Sequence, residues 1–230
     1  AIGALWAIFQ PFMAMVIFSI FFGRLVGIPS DGIPYPVFVY AGLLFWNYFS
    51  FGLSHSAGSM VENGSIIKKI YFPRLIIPIA SSLTGLVDFF FATLVLIGLM
   101  AYYHYLPYLT IVFYIPLLLG ITFLSSMGIG CFLAAINVKY RDVRYVLPFF
   151  TQILLFVTPV IYPSSILGTY QWLWYFNPMA GVVETMRFSI LGMGNIPWNF
   201  FGSSLLVSII LFLAGVIIFN RTEKYFADII

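Results

Sequence analysis

The stretch "LIIPIASSLTGLVDFFFATLVLIGLMAYY", residues 75–103, carries one charged side chain, Asp88, in a run long enough to cross a bilayer. Its apolar residues lie all round, with no period-2 alternation, so a helix is expected rather than a barrel strand. Similar runs recur along the chain. Of 230 residues, 62% are hydrophobic and 7% charged, and the mean hydropathy is +1.06. A soluble domain carries about 25% charged residues. The sequence therefore reads as an all-α, polytopic membrane protein.

Apolar runs set against turn signals predict six transmembrane helices, at about 4–27, 36–60, 75–103, 110–136, 145–163 and 197–220. Together they make a single transmembrane domain over residues 1–230. Lys68, Lys69, Arg74, Lys139, Arg141, Arg144, Arg221 and Lys224 fall in the loops 61–74 and 137–145 and in the tail 221–230. Only Arg24 and Arg187 lie on the other side, so the basic loops and both termini are expected to be cytoplasmic. The sequence opens at Ala1 inside an apolar segment, where an upstream polar segment is expected. No basic region precedes the first run and no small-residue site closes it, so no cleavable signal is expected. Cys131 is the single cysteine and reads as a small buried hydrophobe. There is no basic stripe for nucleic acid.

The segment 160–196 is too long and too apolar for a simple loop. Asn177 and Pro178 predict a helix start, a capping side chain followed by proline at the first helical position. Gly192 and Gly194 mark its end. The stretch between is too short to span. A pair of short re-entrant extracytoplasmic helices, with Trp172 and Trp174 at the interface, fits better than an amphipathic surface loop. Glu184 and Arg187, three apart, could pair there and either shape an outer gate or merely neutralise each other. In the third span, Ser81, Thr84, Gly85, Asp88 and Ala92 share one face, which suggests close helix packing around Asp88 more than a proton relay. Ser126, Gly130 and Ala134 form a small-residue ridge on the fourth.

Enzyme signatures are weak. "GLSH" (52–55) has the form of a GxS nucleophile turn, but His55 follows Ser54 directly and His104 lies at the opposite membrane face. Two such distant histidines make no metal site, and no Walker P-loop is present. ATP-driven work would need another chain. The loop 61–74 places Ile66, Ile67, Ile70 and Tyr71 at helical spacing with the lysines facing away, and Pro73 ends the helix. A sticky face of that kind suits docking onto another protein.

The stretches "AIGALWAIFQPF" (1–12), "YAGLLFWNYFS" (40–50), "SIIKKIYFPRLIIPIASSLTGLVDFF" (65–90), "NVKYRDVRYVLPFFTQILLFVTPVIYP" (137–163) and "WYFNPMAGVVETMRFSILG" (174–192) resemble, in order, the permease subunit of type-2 ABC exporters. They are most similar to exporters of O-antigen, capsule and teichoic acid. An amphipathic cytoplasmic helix precedes the first span in that family. The resemblance implies a homodimer in a bacterial inner membrane, working with two cytoplasmic ATPase subunits that bind ATP and magnesium; this chain itself would be non-catalytic, with no cofactor or metal. It implies a coupling helix matching Glu62, Asn63, Ile66, Lys68, Lys69, Ile70, Phe72 and Arg74, and two gate helices bringing Pro159, Tyr162, Asn177, Pro178, Glu184 and Arg187 to the outer side. The substrate implied is a lipid-linked glycan passing along the dimer interface. Trp6, Phe9, Gln10, Tyr40, Trp46, Tyr48 and Phe49 are the candidates to line that path, because sugar rings stack on aromatic faces; the alternative is contact with membrane lipid. An exporter of drugs or lipids, and a channel or scaffold without an ATPase, remain the other readings.

Overall fold

A computed structural model describes residues 2–67, 72–105, 111–140, 142–191 and 198–229, and no strand occurs among them. The helices in chain order are α1 (Ile2–Phe18), α2 (Tyr35–Glu62), α3 (Gly64–Ile67), α4 (Ile76–Leu83), α5 (Gly85–Tyr102), α6 (Ile111–Lys139), α7 (Val143–Val157), α8 (Pro178–Leu191) and α9 (Trp198–Ile229). A π-helical stretch, Ser19–Val26, continues α1, and a 3₁₀ stretch, Ser164–Phe176, precedes α8.

Among the described residues, five helical segments are long and apolar enough to cross a membrane: Ile8–Val26, Tyr35–Glu62, Ile76–Tyr102, Ile111–Lys139 and Trp198–Glu223. The expected fifth span, 145–163, is the exception. Its helix α7 has 15 residues, about 22 Å of rise against a hydrocarbon core of about 30 Å. It stops because Thr158 turns extended, at ψ 141°, the conformation favoured before a proline such as Pro159. The expected third span is α4 plus α5, joined at Thr84, whose hydroxyl bonds back to Ser81 O at 2.8 Å. At the C-terminus the expected tail is a continuation of α9 to Ile229.

Helix α2 is the hub. Its first half is apolar all round, and 78% of its membrane-length stretch is buried, against 11% for Ile8–Val26 and 17% for Trp198–Glu223. Around it the outer helices leave Phe113, Phe149, Leu25 and Phe90 exposed. Water would make such a surface sticky; lipid tails do not. Packing between helices therefore relies on close approach and hydrogen bonds. Gly128 and Gly215 face each other where α6 crosses α9, so a side chain on either would collide with the other helix's backbone. Beside that crossing the Ser125 and Ser208 hydroxyls meet at 2.7 Å. The Ser126–Gly130–Ala134 ridge is buried as expected, and a Cβ at Gly130 would come within 2.6 Å of Ser56 on α2.

Candidate functional site

Three places gather the side chains singled out above. The first is the turn between α7 and α8. Arg187, 3% exposed, donates from Nη1 to Pro159 O (2.7 Å) and Tyr162 O (3.3 Å), and from Nη2 to Val160 O (2.6 Å). It also pairs with Glu184 at 3.3 Å and lies 3.5 Å from the centre of the Phe38 ring on α2. The Glu184 carboxylate is used a second time: the Ser164 N–H donates to its Oε1 at 3.1 Å. A carboxylate and three carbonyls around one guanidinium all favour its charged form, which partly offsets the cost of its burial.

Neighbouring contacts close the same turn. Asn177 caps α8 by accepting from Met179 N (3.0 Å) and donates to Thr158 Oγ1 (3.0 Å). A further start-of-helix N–H, that of Gly181, donates to Ser204 Oγ at 3.0 Å. The Tyr162 hydroxyl donates to Phe156 O, the Tyr35 hydroxyl to Ile161 O, and the Trp174 indole to Ser164 O. Pro159 and Pro178 are buried within this assembly. All six residues assigned to a gate therefore sit at one clasp. Glu184 and Arg187 do more than neutralise each other: they bind an irregular turn to α8 and α2. Tyr35, Phe38 and Ser164 were missed by sequence reasoning. The available signal was a lone arginine near the prolines of a broken helix, because its five donors need carbonyls that only irregular backbone leaves free. Pro178 through Arg187 are all buried, so α8 is no surface loop, whereas Tyr170, Trp172 and Phe176 of the 3₁₀ stretch are exposed. The Gly192 and Gly194 stop signals lie outside the described residues.

The second place is the loop between α2 and α4. Asn63 ends α2 by donating from Nδ2 to Ser59 O at 2.8 Å, and Glu62 beside it is exposed. Lys68, Lys69, Ile70 and Tyr71 lie outside the described residues. The expected sticky face is divided. Ile66 is 47% exposed, but Ile67 is buried, packed with Met60, Ile77, Met127 and Phe219, and Phe72 rests on the same cluster. Part of the apolar face is thus used by the protein's own α6 and α9. Arg74 also faces inward: its backbone N–H and guanidinium donate to the side chain and the carbonyl of Glu223 on α9.

The third place is a cleft between α1, α2 and α5, lined by Gln10, Asn47, Ser54, His55 and Asp88, among others. Asp88 is exposed and has no hydrogen-bond or ion-pair partner among the described residues. The packing expected of it belongs to Gly85 and Ala92, which are buried, Gly85 against the Phe51 ring. Of the path-lining candidates, Trp6 and Phe9 are exposed (61% and 48%), with ring centres 5.9 Å apart, and Gln10 is exposed too. Tyr40, Trp46, Tyr48 and Phe49 are buried in the core around α2, and Tyr40 donates to Ala92 O at 3.2 Å. Among the described residues no three His, Cys, Asp or Glu side chains could hold a metal ion.

Long apolar helices and an apolar outer surface define a multi-pass helical membrane protein. Within that class, residues 1–191 match the ABC-2 type transporter family, and the chain belongs to it. It is 26% identical, over 230 residues (100% of this chain, 88% of the relative), to an O-antigen export system permease protein, RfbA, of Klebsiella pneumoniae. A protein of the same name from Myxococcus xanthus is 29% identical over 166 residues, 71% of this chain and 62% of its own. The polysialic acid transport protein KpsM of Escherichia coli is 26% identical over 197 residues, 83% of this chain and 74% of its own.

Proposed function

We propose that this chain is the transmembrane subunit of an ATP-driven exporter that moves a lipid-linked polysaccharide from the cytoplasmic to the outer side of a bacterial inner membrane. The observation that carries the reading is the alignment of the whole chain with permeases named for O-antigen export, within a family match over residues 1–191. The partition of basic residues supports an orientation with the α2–α4 loop, the α6–α7 loop and both termini in the cytoplasm. On that orientation α7 starts at the cytoplasmic α6–α7 loop and leads the chain outward, and the 3₁₀ stretch and α8 form the outer gate region, re-entering the membrane from outside.

Hydrolysis of ATP, with its magnesium, belongs to two partner ATPase subunits. The coupling contact to them runs through Glu62, Ile66 and Lys68–Lys69, whereas Ile67, Phe72 and Arg74 join the loop to this chain's own core. A second copy of the chain completes the pathway. Segment Ile8–Val26, only 11% buried in the protomer, presents Phe9 and Gln10 at its start, with Trp6 just before it, and is the surface best placed to meet that copy or the moving glycan. The test is complementation: cells lacking the gene should accumulate lipid-linked polymer on the cytoplasmic side, and this chain with its ATPase should restore surface polymer. Normal surface polymer in the deletion strain would reject the reading.

A further inference from the structure

We infer that the α1–α2–α5 cleft is a binding site for a single neutral or amino-bearing sugar unit, and that it refuses phosphate and acidic sugars. The inference rests on the exporter reading for its physiological substrate, but its chemistry stands on the cleft alone.

Asp88 lies near the middle of the Ile76–Tyr102 segment. A carboxylate at that depth is costly unless it faces water or a partner. It has no protein partner among the described residues; it opens into a cavity of about 270 Å³. That is near the lower end of the size of ligand sites, room for one ring rather than a polymer. Gln10 and Asn47 contribute amides that both donate and accept, and Ser54 a hydroxyl. Phe51 and His55 form a flat wall: their rings stack at 3.8 Å and 17°, while His55 Nδ1 lies 3.0 Å from Phe51 O. The other imidazole nitrogen is thereby left for the cleft or solvent.

An apolar wall beside a carboxylate and two amides matches a pyranose, which has C–H faces and a rim of paired hydroxyls. A carboxylate accepts two hydroxyls at once, or an ammonium more strongly still. The described lining holds no lysine or arginine. An anion such as a pyrophosphate or a uronic acid would meet the Asp88 charge with no lysine or arginine in the described lining to offset it. The cleft also lies in the half of α2 that leads to the coupling loop, since His55 is about 10 Å of helix from Glu62. In the proposed orientation that is the leaflet from which a lipid-linked glycan enters.

The test uses the full chain in lipid nanodiscs and saturation-transfer NMR with four probes: a methyl mannoside, a methyl glucosaminide, a methyl glucuronide and methyl phosphate. The mannoside and the glucosaminide should receive saturation, and the other two should not. Asp88→Asn should weaken that binding about tenfold, the weight of one charge-assisted hydrogen bond. Ser54→Trp, which fills the cleft, should abolish it. Thiol-dye melting of Cys131 checks that each variant is folded; if Ser54→Trp is not, the Asp88→Asn arm decides. Glycoside signals that are absent, or unchanged in the folded variants, or matched by the glucuronide, overturn the inference. If polymer is exported in cells while the purified chain binds no glycoside, the cleft assignment fails and the exporter reading stands. Glycoside binding without polymer export gives the reverse.

Discussion

Replacing Arg187 with methionine removes the guanidinium that ties three carbonyls and Glu184 together, while keeping most of the side-chain volume. Pro159 O, Val160 O and Glu184 then lose donors at 2.7, 2.6 and 3.3 Å in a site where Arg187 is 3% exposed. Breaking a buried ion pair from one side costs about 3–5 kcal/mol in soluble proteins. Polar contacts between membrane helices average about 0.6 kcal/mol and reach about 1.7, which puts three of them at roughly 2–5 kcal/mol. Both routes lead to about 3 kcal/mol, or about 6–12 °C for a chain of this size. The assay is built into the protein: Cys131 is the single cysteine and is buried, so a thiol-reactive dye fluoresces only as the fold opens. Melting midpoints at a fixed scan rate should fall by that amount for Arg187→Met. The double variant Glu184→Gln/Arg187→Met should recover at least about 2 °C, because no unpaired carboxylate remains and the introduced amide oxygen can still accept from Ser164 N. A single variant that melts within about 2 °C of the parent, or a double variant no better than the single, would refute the clasp.

Other contacts make separate claims. Lys68→Glu/Lys69→Glu should abolish co-purification with the ATPase, while Arg74→Ala should leave it intact and lower the Cys131-dye midpoint, because Arg74 is engaged with Glu223. Equal loss of co-purification in both would show that Arg74 reaches the partner. Gly128→Val should prevent accumulation of folded protein, since a side chain there would collide with the α9 backbone; Ser208→Ala, which removes the one contact between helices to Ser125 together with a local bond to Ser204 O, should cost only about 0.6 kcal/mol. Asn177→Ala should lower the midpoint by about 1 kcal/mol equivalent through the lost cap, whereas Asn177→Asp, which keeps the capping oxygen but not the donor to Thr158, should lose less.

The membrane class, the approximate helix positions and the start of α8 at Asn177–Pro178 were legible in the sequence, because hydropathy and capping are local properties. So was the Ser126–Gly130–Ala134 ridge, whose spacing alone puts small residues on one face. The failures share a cause. Whether Tyr40, Trp46 and Phe49 face a path or a core depends on which side of α2 is covered, and the first half of α2, where two of them lie, is apolar on every side. The same ambiguity divided Ile66 from Ile67 in the loop, and placed Asp88 in a cleft when its neighbours Gly85 and Ala92 pack. The short α7 was read as a full span because its apolar run continues into 158–163; the break lies in the extended backbone at Thr158, which hydropathy does not register.

Composition by itself determined the solvent this protein folds in, since 7% charged residues cannot cover a surface facing water. Charge placement determined the orientation to be tested. Tertiary structure alone decided what the rare polar groups do there. In an interior where unpaired polar atoms are expensive, partners come from distant segments: Arg187 with Pro159 and Val160, Arg74 with Glu223, Ser125 with Ser208. Spacing along the chain cannot reveal such pairings. Asp88, without one among the described residues, marks the place where we infer a partner from outside the chain.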